Sequence, residues 1–422
     1  MSDATCDTFD ALERRHAHER ERDLMARLPD LVARAQGAPG WAAILAGVDA
    51  QQVNSRAALA QLPITRKADL KALQAQARPF GGLTATAVGQ LSRVFVSPGP
   101  IFDPEGRGLD WWRFARPMHA AGIRPGGLLQ NCFSYHFTPA AFMVEGGARR
   151  IGCAVIPAGA GQTELQVQAI VELRPDTYVG TPSFLRLIID KARDMGADIS
   201  SIQRAMVGAE ALPESLRSWL RANGVPHVFQ TYASADLGSV AYETETDGVI
   251  NPGMVLDEDV IVEIVRPGSG EPVAPGDIGE VVVTLFNDDY PLIRFATGDM
   301  SAMLIDAPPS KCGRTNGRIR GWMGRADQTT KVRAMFVHPS QVDNITRRHP
   351  AIVKARLLVS GHMAQDVMTL RCEVDTPPSA EQAAAIVQSI REVTKLRGEV
   401  EFVARGTLPG DGVLIEDLRD YR

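Results

Sequence analysis

Between Gly126 and Ile189 short apolar runs alternate with stretches of helical spacing, and no other feature restricts the fold so strongly. Residues 127–131, 153–156 and 177–179 read as strands, whereas 138–147, 164–173 and 183–192 read as helices. Strands separated by helix-length connections run parallel, because each crossover returns the chain to the same end of the sheet. The fold class is therefore α/β, with β/α layers in a large N-terminal domain. Residues 260–265 and 280–285, rich in Val and Ile and separated by Pro- and Gly-containing turns, predict antiparallel strands of a small β-subdomain. Beyond Asp327 the pattern becomes small α+β, with strands at 331–337, 352–359, 367–374 and 400–403 and helices at 339–348 and 380–395. The boundary falls near 325–328, giving domains 1–326 and 327–422. At the other end, Leu12, Leu24, Leu28, Leu31 and Val32 lie at helical spacing and predict an amphipathic helix over 9–35, broken or kinked near Pro29. Residues 62–70 predict a loop running into a helix, with Thr65 as its N-cap.

Composition narrows the classes of function. A chain of 422 residues, 45% hydrophobic and 23% charged, is ordinary for a soluble protein of two or three domains. A net charge of −5 offers no basic footprint for nucleic acid. No apolar run approaches the roughly 18–20 residues needed to span a bilayer, and the polar, acidic N-terminus is neither a signal nor a transit peptide. The five cysteines are scattered, odd in number and free of any CxxC pair, which predicts a reducing cytoplasm without disulfides or structural zinc.

The motifs that carry chemistry lie late in the first domain. Tyr290-Pro-Leu-Ile-Arg-Phe-Ala-Thr-Gly-Asp299 reads as a strand that stops at Thr297-Gly298 and presents Asp299 on a turn. Gly324-Arg325-Ala326-Asp327 presents a second turn. A carboxylate and a guanidinium on adjacent turns can grip a vicinal diol such as a ribose, or they form a surface ion pair.

Further blocks occur in a fixed order: Gln130 to Phe137, Val155 to Gly159, Gly180-Thr-Pro-Ser-Phe184, Gly208-Ala-Glu210, and Thr231-Tyr-Ala-Ser-Ala-Asp-Leu-Gly238. With Tyr290 to Asp299 and Gly324 to Pro339, the chain resembles the phenylacetate–CoA ligases, a family of adenylate-forming acyl- and aryl-CoA ligases. The resemblance implies an AMP-binding N-terminal domain and a small mobile C-terminal domain. It also implies two half-reactions. A carboxylate attacks the α-phosphate of Mg-ATP and expels pyrophosphate, and the thiol of CoA then attacks the acyl-adenylate.

Residue by residue, the resemblance implies that Gly208, Ala209 and Glu210, with Tyr232 and Ala233, form the adenine pocket. Asp299 and Arg325 would hold the ribose. Asp236, where the family has glutamate, would bind Mg²⁺. Lys331 and Arg333 would approach the nucleotide or CoA, and Asp327 would be the hinge. Tyr135, His136, Phe137 and Thr181 would border an acyl pocket suited to an aryl or arylacetyl carboxylate, and a homodimer is implied by analogy. The plainer readings stand beside these. Tyr232 is also an ordinary half-buried tyrosine, Asp236 a helix cap, His136 a packed core residue, and Lys331 and Arg333 solvated charges.

The sequence departs from the family pattern where phosphate chemistry should occur. The segment matching the phosphate loop, Phe95-Val-Ser-Pro-Gly-Pro-Ile-Phe-Asp-Pro-Glu-Gly106, keeps only Ser97 and Gly99. Pro98, Pro100 and Pro104 bring no N–H, and Asp103 and Glu105 bring charge of the wrong sign. Val413 stands at the place of the catalytic lysine, and Arg405 and Arg419 are the cations that could replace it. The expectation is a carboxylate–CoA ligase with slowed adenylation. The alternative is a non-catalytic relative that binds AMP, an acyl-adenylate or an acyl-CoA.

Overall fold

The computed structural model describes residues 7–97, 99–305, 311–326, 328–333, 335–362, 365–410 and 413–419. The hinge expected at Asp327, the Pro98 of the phosphate segment and residues 411–412 before Val413 lie outside them. The chain divides into two compact units, residues 1–212 with 217–323 and residues 213–216 with 324–422.

The first unit is built on an eight-stranded sheet. Its parallel half runs Ala154–Ile156, Leu128–Asn131, Thr177–Gly180, Arg204–Val207 and His227–Ser234. It continues antiparallel through Gly238–Tyr242, Met254–Leu256 and Arg318–Ile319. The β/α alternation of the sequence is thus the parallel half of this sheet. Its connecting helices form for local reasons as well. Pro182–Met195 starts with Thr181, whose hydroxyl accepts the Phe184 N–H, carries Pro182 in its first turn, and stops at Gly196 in the left-handed region. It buries Leu185, Ile188, Ile189 and Ala192, each aliphatic side chain of this size stabilising by about 1.5–3 kcal/mol when fully buried.

A four-stranded sheet follows the order Thr65–Arg66, Leu292–Ser301, Gly279–Leu285, Val260–Val265. The expected antiparallel strands are its last two, in register with Val262 opposite Val283. Thr65 does not cap a helix. Its backbone joins this sheet as a parallel edge opposite Phe295, its buried hydroxyl has no hydrogen-bond partner among the described residues, and the following turn, Lys67–Asp69, begins instead at Arg66. The strand Leu292–Ser301 also runs past its expected end: Gly298 takes a φ of +77°, and the ladder to Gly279–Leu285 resumes at Met300. Asp299 therefore lies within a strand beyond an irregularity, not on a terminal turn.

The N-terminal helix Ala17–Gln36 runs through Pro29 without a break and is preceded by a short turn, Ala11–Arg14. Leu24, Leu28, Leu31 and Val32 give it the apolar stripe, and Arg20 pins it by an ion pair to Glu258.

The second unit packs two helices, Pro339–Arg348 and Ala380–Thr394, with the four-stranded sheet Glu399–Ala404, Gln365–Val374, Ile352–His362, Ile415–Asp417. The single strand expected over 331–337 is a hairpin, Thr330–Val332 with Met335–Val337. Arg333 turns it at a φ of +47°.

Candidate active site

The parallel strands end at one edge of the large sheet, and the segments leaving that edge carry most of the expected site residues. Gly208 and Ala209 follow the strand Arg204–Val207, and Ala209 adopts a φ of +63°. Glu210 accepts the Ser183 hydroxyl at 2.6 Å, which ties this turn to the helix capped by Thr181.

Tyr232 comes from the neighbouring strand His227–Ser234. Its hydroxyl donates to Asp299 Oδ2 at 2.9 Å and lies 3.3 Å from the Thr297 hydroxyl. The indole N–H of Trp322 donates to the other oxygen of Asp299 at 3.1 Å. The two sheets thereby bring Tyr232 and Asp299 together. Arg325, the expected partner of Asp299 on a ribose, is half-buried in the second unit.

An uncharged cavity of about 190 Å³ lies beside these residues. Phe114, Phe133, Met143 and Met206 provide its apolar wall, and Gly208, Ala209 and Ala233 belong to its lining. The residues expected at the acyl pocket are placed differently. The Tyr135 hydroxyl accepts from Asn131 Nδ2 and donates to Glu145 Oε1, each at 2.9 Å. Phe137 is 63% exposed, and His136 packs edge-on against it. Thr181 is spent on its helix cap. None of the four lines this cavity, whose aromatic wall is one step away in the same block at Phe133. The aromatic-rich stretch borders the cavity through Phe133, and which side chains turn inward depends on how it leaves its strand.

Asp236 is fully buried and does not cap a helix. One of its oxygens accepts the ammonium of Lys67 at 2.5 Å, and the other has no well-formed hydrogen bond among the described residues. That arrangement sets an ammonium against one oxygen of the expected Mg²⁺ ligand. Lys67 was missed in the sequence because it belongs to no phosphate motif; it reaches the site through the edge strand Thr65–Arg66. Burial works against its charge, but Asp236, Asp103 and Asp299 outweigh this and hold its pKa above the ordinary lysine value.

Asp103 completes the cluster. The segment expected to match a phosphate loop is a β-hairpin, Arg93–Ser97 with Ile101–Glu105, and Asp103 is fully buried on it. Burial, and then the nearby Asp236 carboxylate, push its carboxyl up to about 8 despite the pull of Lys67 and Ser97. Among the described residues neither of its oxygens has a well-formed hydrogen bond, and the hydroxyl of Tyr290, buried nearby, likewise has none.

In the second unit Lys331 is half-buried on the strand Thr330–Val332, whereas Arg333 is exposed. The Arg333 backbone N–H and guanidinium both donate to Asp366, at 2.8 and 3.0 Å. Arg405 pairs with Asp375, and Arg419 with Asp366 and Asp417.

Comparison with known proteins finds relatives in sequence and in fold. The family model described as AMP-binding enzyme matches residues 129–284. The phenylacetate–coenzyme A ligase of Thermus thermophilus is 30% identical over 343 residues, covering 79% of this chain and 76% of that protein. The Escherichia coli enzyme of the same name is 29% identical, with 89% of each chain covered. Among solved structures, 2-hydroxyisobutyryl-CoA ligase bound to 2-HIB-AMP and CoA superposes with a TM-score of 0.82 at 23% identity, covering 100% of this chain and 94% of that one. The amide bond synthetase McbA of Marinactinospora thermotolerans superposes at 0.55 and 15% identity, with 94% and 93% covered.

Proposed function

This chain belongs to the phenylacetate–CoA ligase family of AMP-binding enzymes, and from that premise we propose that it joins an apolar carboxylate to CoA through an acyl-adenylate. The carboxylate oxygen attacks the α-phosphate of ATP and pyrophosphate leaves. The CoA thiol then loses its proton and attacks the acyl carbon, and AMP leaves. One observation carries the proposal. The uncharged cavity includes Gly208, Ala209 and Ala233 in its lining, the residues assigned to the adenine pocket, so acyl group and nucleotide would share a wall. A lining without charged side chains favours a substrate whose only charge is its carboxylate, an aryl or arylacetyl acid among them.

Asp299 with Arg325 at the ribose, Tyr232 against adenine, Lys331 and Arg333 toward nucleotide or CoA, the domains 1–326 and 327–422 with Asp327 as their hinge, and a homodimer remain parts of this proposal. The hairpin that replaces the phosphate loop, with Asp103 buried in it, favours slow adenylation and supports a second reading, a binder of AMP, acyl-adenylate or acyl-CoA without turnover. Losing phosphate-directed donors typically costs about 10²–10³ in rate.

The test supplies a panel of aryl and aliphatic acids with ATP and CoA, and in parallel the pre-formed acyl-adenylates with CoA. Thioester formed faster from the adenylate than from acid plus ATP is the expected result. Tight adenylate binding with no thioester from either route selects the second reading.

A further inference from the structure

Three carboxylates converge where the phosphate end of the site should be, and the cation among them is a lysine. The edge strand Thr65–Arg66 pairs in parallel with Leu292–Ser301, Thr65 opposite Phe295 and Arg66 opposite Ala296. That register delivers the next residue, Lys67, to the level of Thr297, two residues before Asp299. Its ammonium sits 2.5 Å from Asp236 Oδ2, with Asp103 and Asp299 close enough to act on its charge. The Lys67 side chain is 29% exposed, whereas Asp236 is completely buried, so the lysine links the cluster to the surface. Ser97 links the cluster to the substrate side, because it faces Asp103 and also lines the uncharged cavity. Ser234 and Ala235, which precede Asp236, line that cavity too.

Lys67 holds one oxygen of Asp236 at hydrogen-bond distance, so a divalent cation there would meet an ammonium beside it. An ammonium has three donors, and Asp236 takes one of them. The remaining two suit a phosphate oxygen, for which lysine is a common point-charge partner.

We propose that Lys67 takes the place of the divalent cation in this site: held by Asp236, it meets the phosphate of AMP or of an acyl-adenylate, and the nucleotide binds without Mg²⁺. The inference rests on the nucleotide reading above. It separates this chain from metal-dependent phosphate capture and assigns a function to an N-terminal residue outside the stretch 129–284 that the AMP-binding model matches.

Calorimetry on the full chain tests it with two probes, adenosine and AMP, each titrated in Mg²⁺ and in EDTA. The expected result is that AMP binds more tightly than adenosine, with affinities in Mg²⁺ and EDTA agreeing within about twofold. Charge-assisted bonds of this kind correspond to roughly ten- to hundredfold in affinity. Lys67→Met should therefore weaken AMP by that factor and leave adenosine unchanged, while Lys67→Arg retains most of the AMP affinity. AMP binding that requires Mg²⁺ overturns the inference while leaving the nucleotide reading standing, and this arm needs no variant. Equal weakening of adenosine and AMP by Lys67→Met overturns it in favour of a purely structural ion pair. If neither adenosine nor AMP binds, the nucleotide reading falls and the inference falls with it.

Discussion

The hydroxyl of Tyr232 donates to the carboxylate of Asp299 at 2.9 Å, joining the last parallel strand of the large sheet to the central strand of the smaller one. The bond fixes both proposed adenosine contacts in one geometry before any ligand arrives. Orientation set in advance reduces what must be ordered on binding. Tyr232→Phe keeps the ring and removes the donor, while Trp322 still holds the other Asp299 oxygen. We expect adenosine affinity to fall about three- to tenfold, the scale of one net hydrogen bond. Thermal unfolding should shift by only a degree or two, and a calorimetric titration beside a melting curve reads both.

Filling the cavity should affect the acid and spare the nucleoside. Met143 lines its apolar wall and is not one of the residues assigned to adenosine. Met143→Trp would take up part of the 190 Å³. The expected outcome is a rise of about tenfold or more in KM for bulky aryl acids and a smaller rise for short aliphatic ones. Adenosine affinity should be unchanged. An equal rise for acids of every size would show that the acyl group sits elsewhere.

The fold was legible where periodicity is strong and burial two-sided. The strands read at 127–131 and 177–179 lie in the parallel half of the sheet, where both faces are covered, whereas its neighbour at 204–207 was not read. The sequence reading of Thr65 failed because a two-residue edge strand leaves no pattern; its pairing with Phe295 is decided by a strand more than two hundred residues away. Lys67 was invisible for the same reason. Asp236 was found by resemblance, but its partner could only come from the fold. The cavity block was recognised by its aromatics, yet Phe133 turned inward and Phe137 outward, a choice set by backbone path and not by composition.

The N-terminal helix owes its attachment to a buried acidic hub. Glu258, with 1% of its side chain exposed, accepts from Arg20 at 2.8 Å and from Arg15 at 3.1 Å. Removing one partner of a buried pair strands the other and typically costs about 3–5 kcal/mol. Because Arg15 also reaches Asp23, the lower end of that range is expected for Glu258→Ala. Chemical denaturation gives the number, and proteolysis should cut the helix Ala17–Gln36 earlier in the variant than in the wild type.

Asp110 predicts a pH dependence whose sign can be worked out. Burial pushes its carboxyl up to about 6, although it accepts the backbone N–H groups of Ala115 and Phe114 and lies near Arg113. An unfolded aspartate titrates near 3.8, so between these values the folded protein keeps a proton that the unfolded chain releases. The folded state then binds more protons than the unfolded one, and stability from this group falls as pH rises. Its contribution is complete below about 3.8 and is lost through about 6, amounting to at most about 3 kcal/mol at 1.36 kcal/mol per unit. Asp110→Asn cannot titrate and should remove this slope while adding a constant offset for the altered N–H contacts. In denaturant titrations from pH 4 to 8, wild-type stability minus variant stability should decline between pH 4 and 6 and be flat above 7. A difference that stays level across the whole range would mean Asp110 titrates as an ordinary exposed carboxylate.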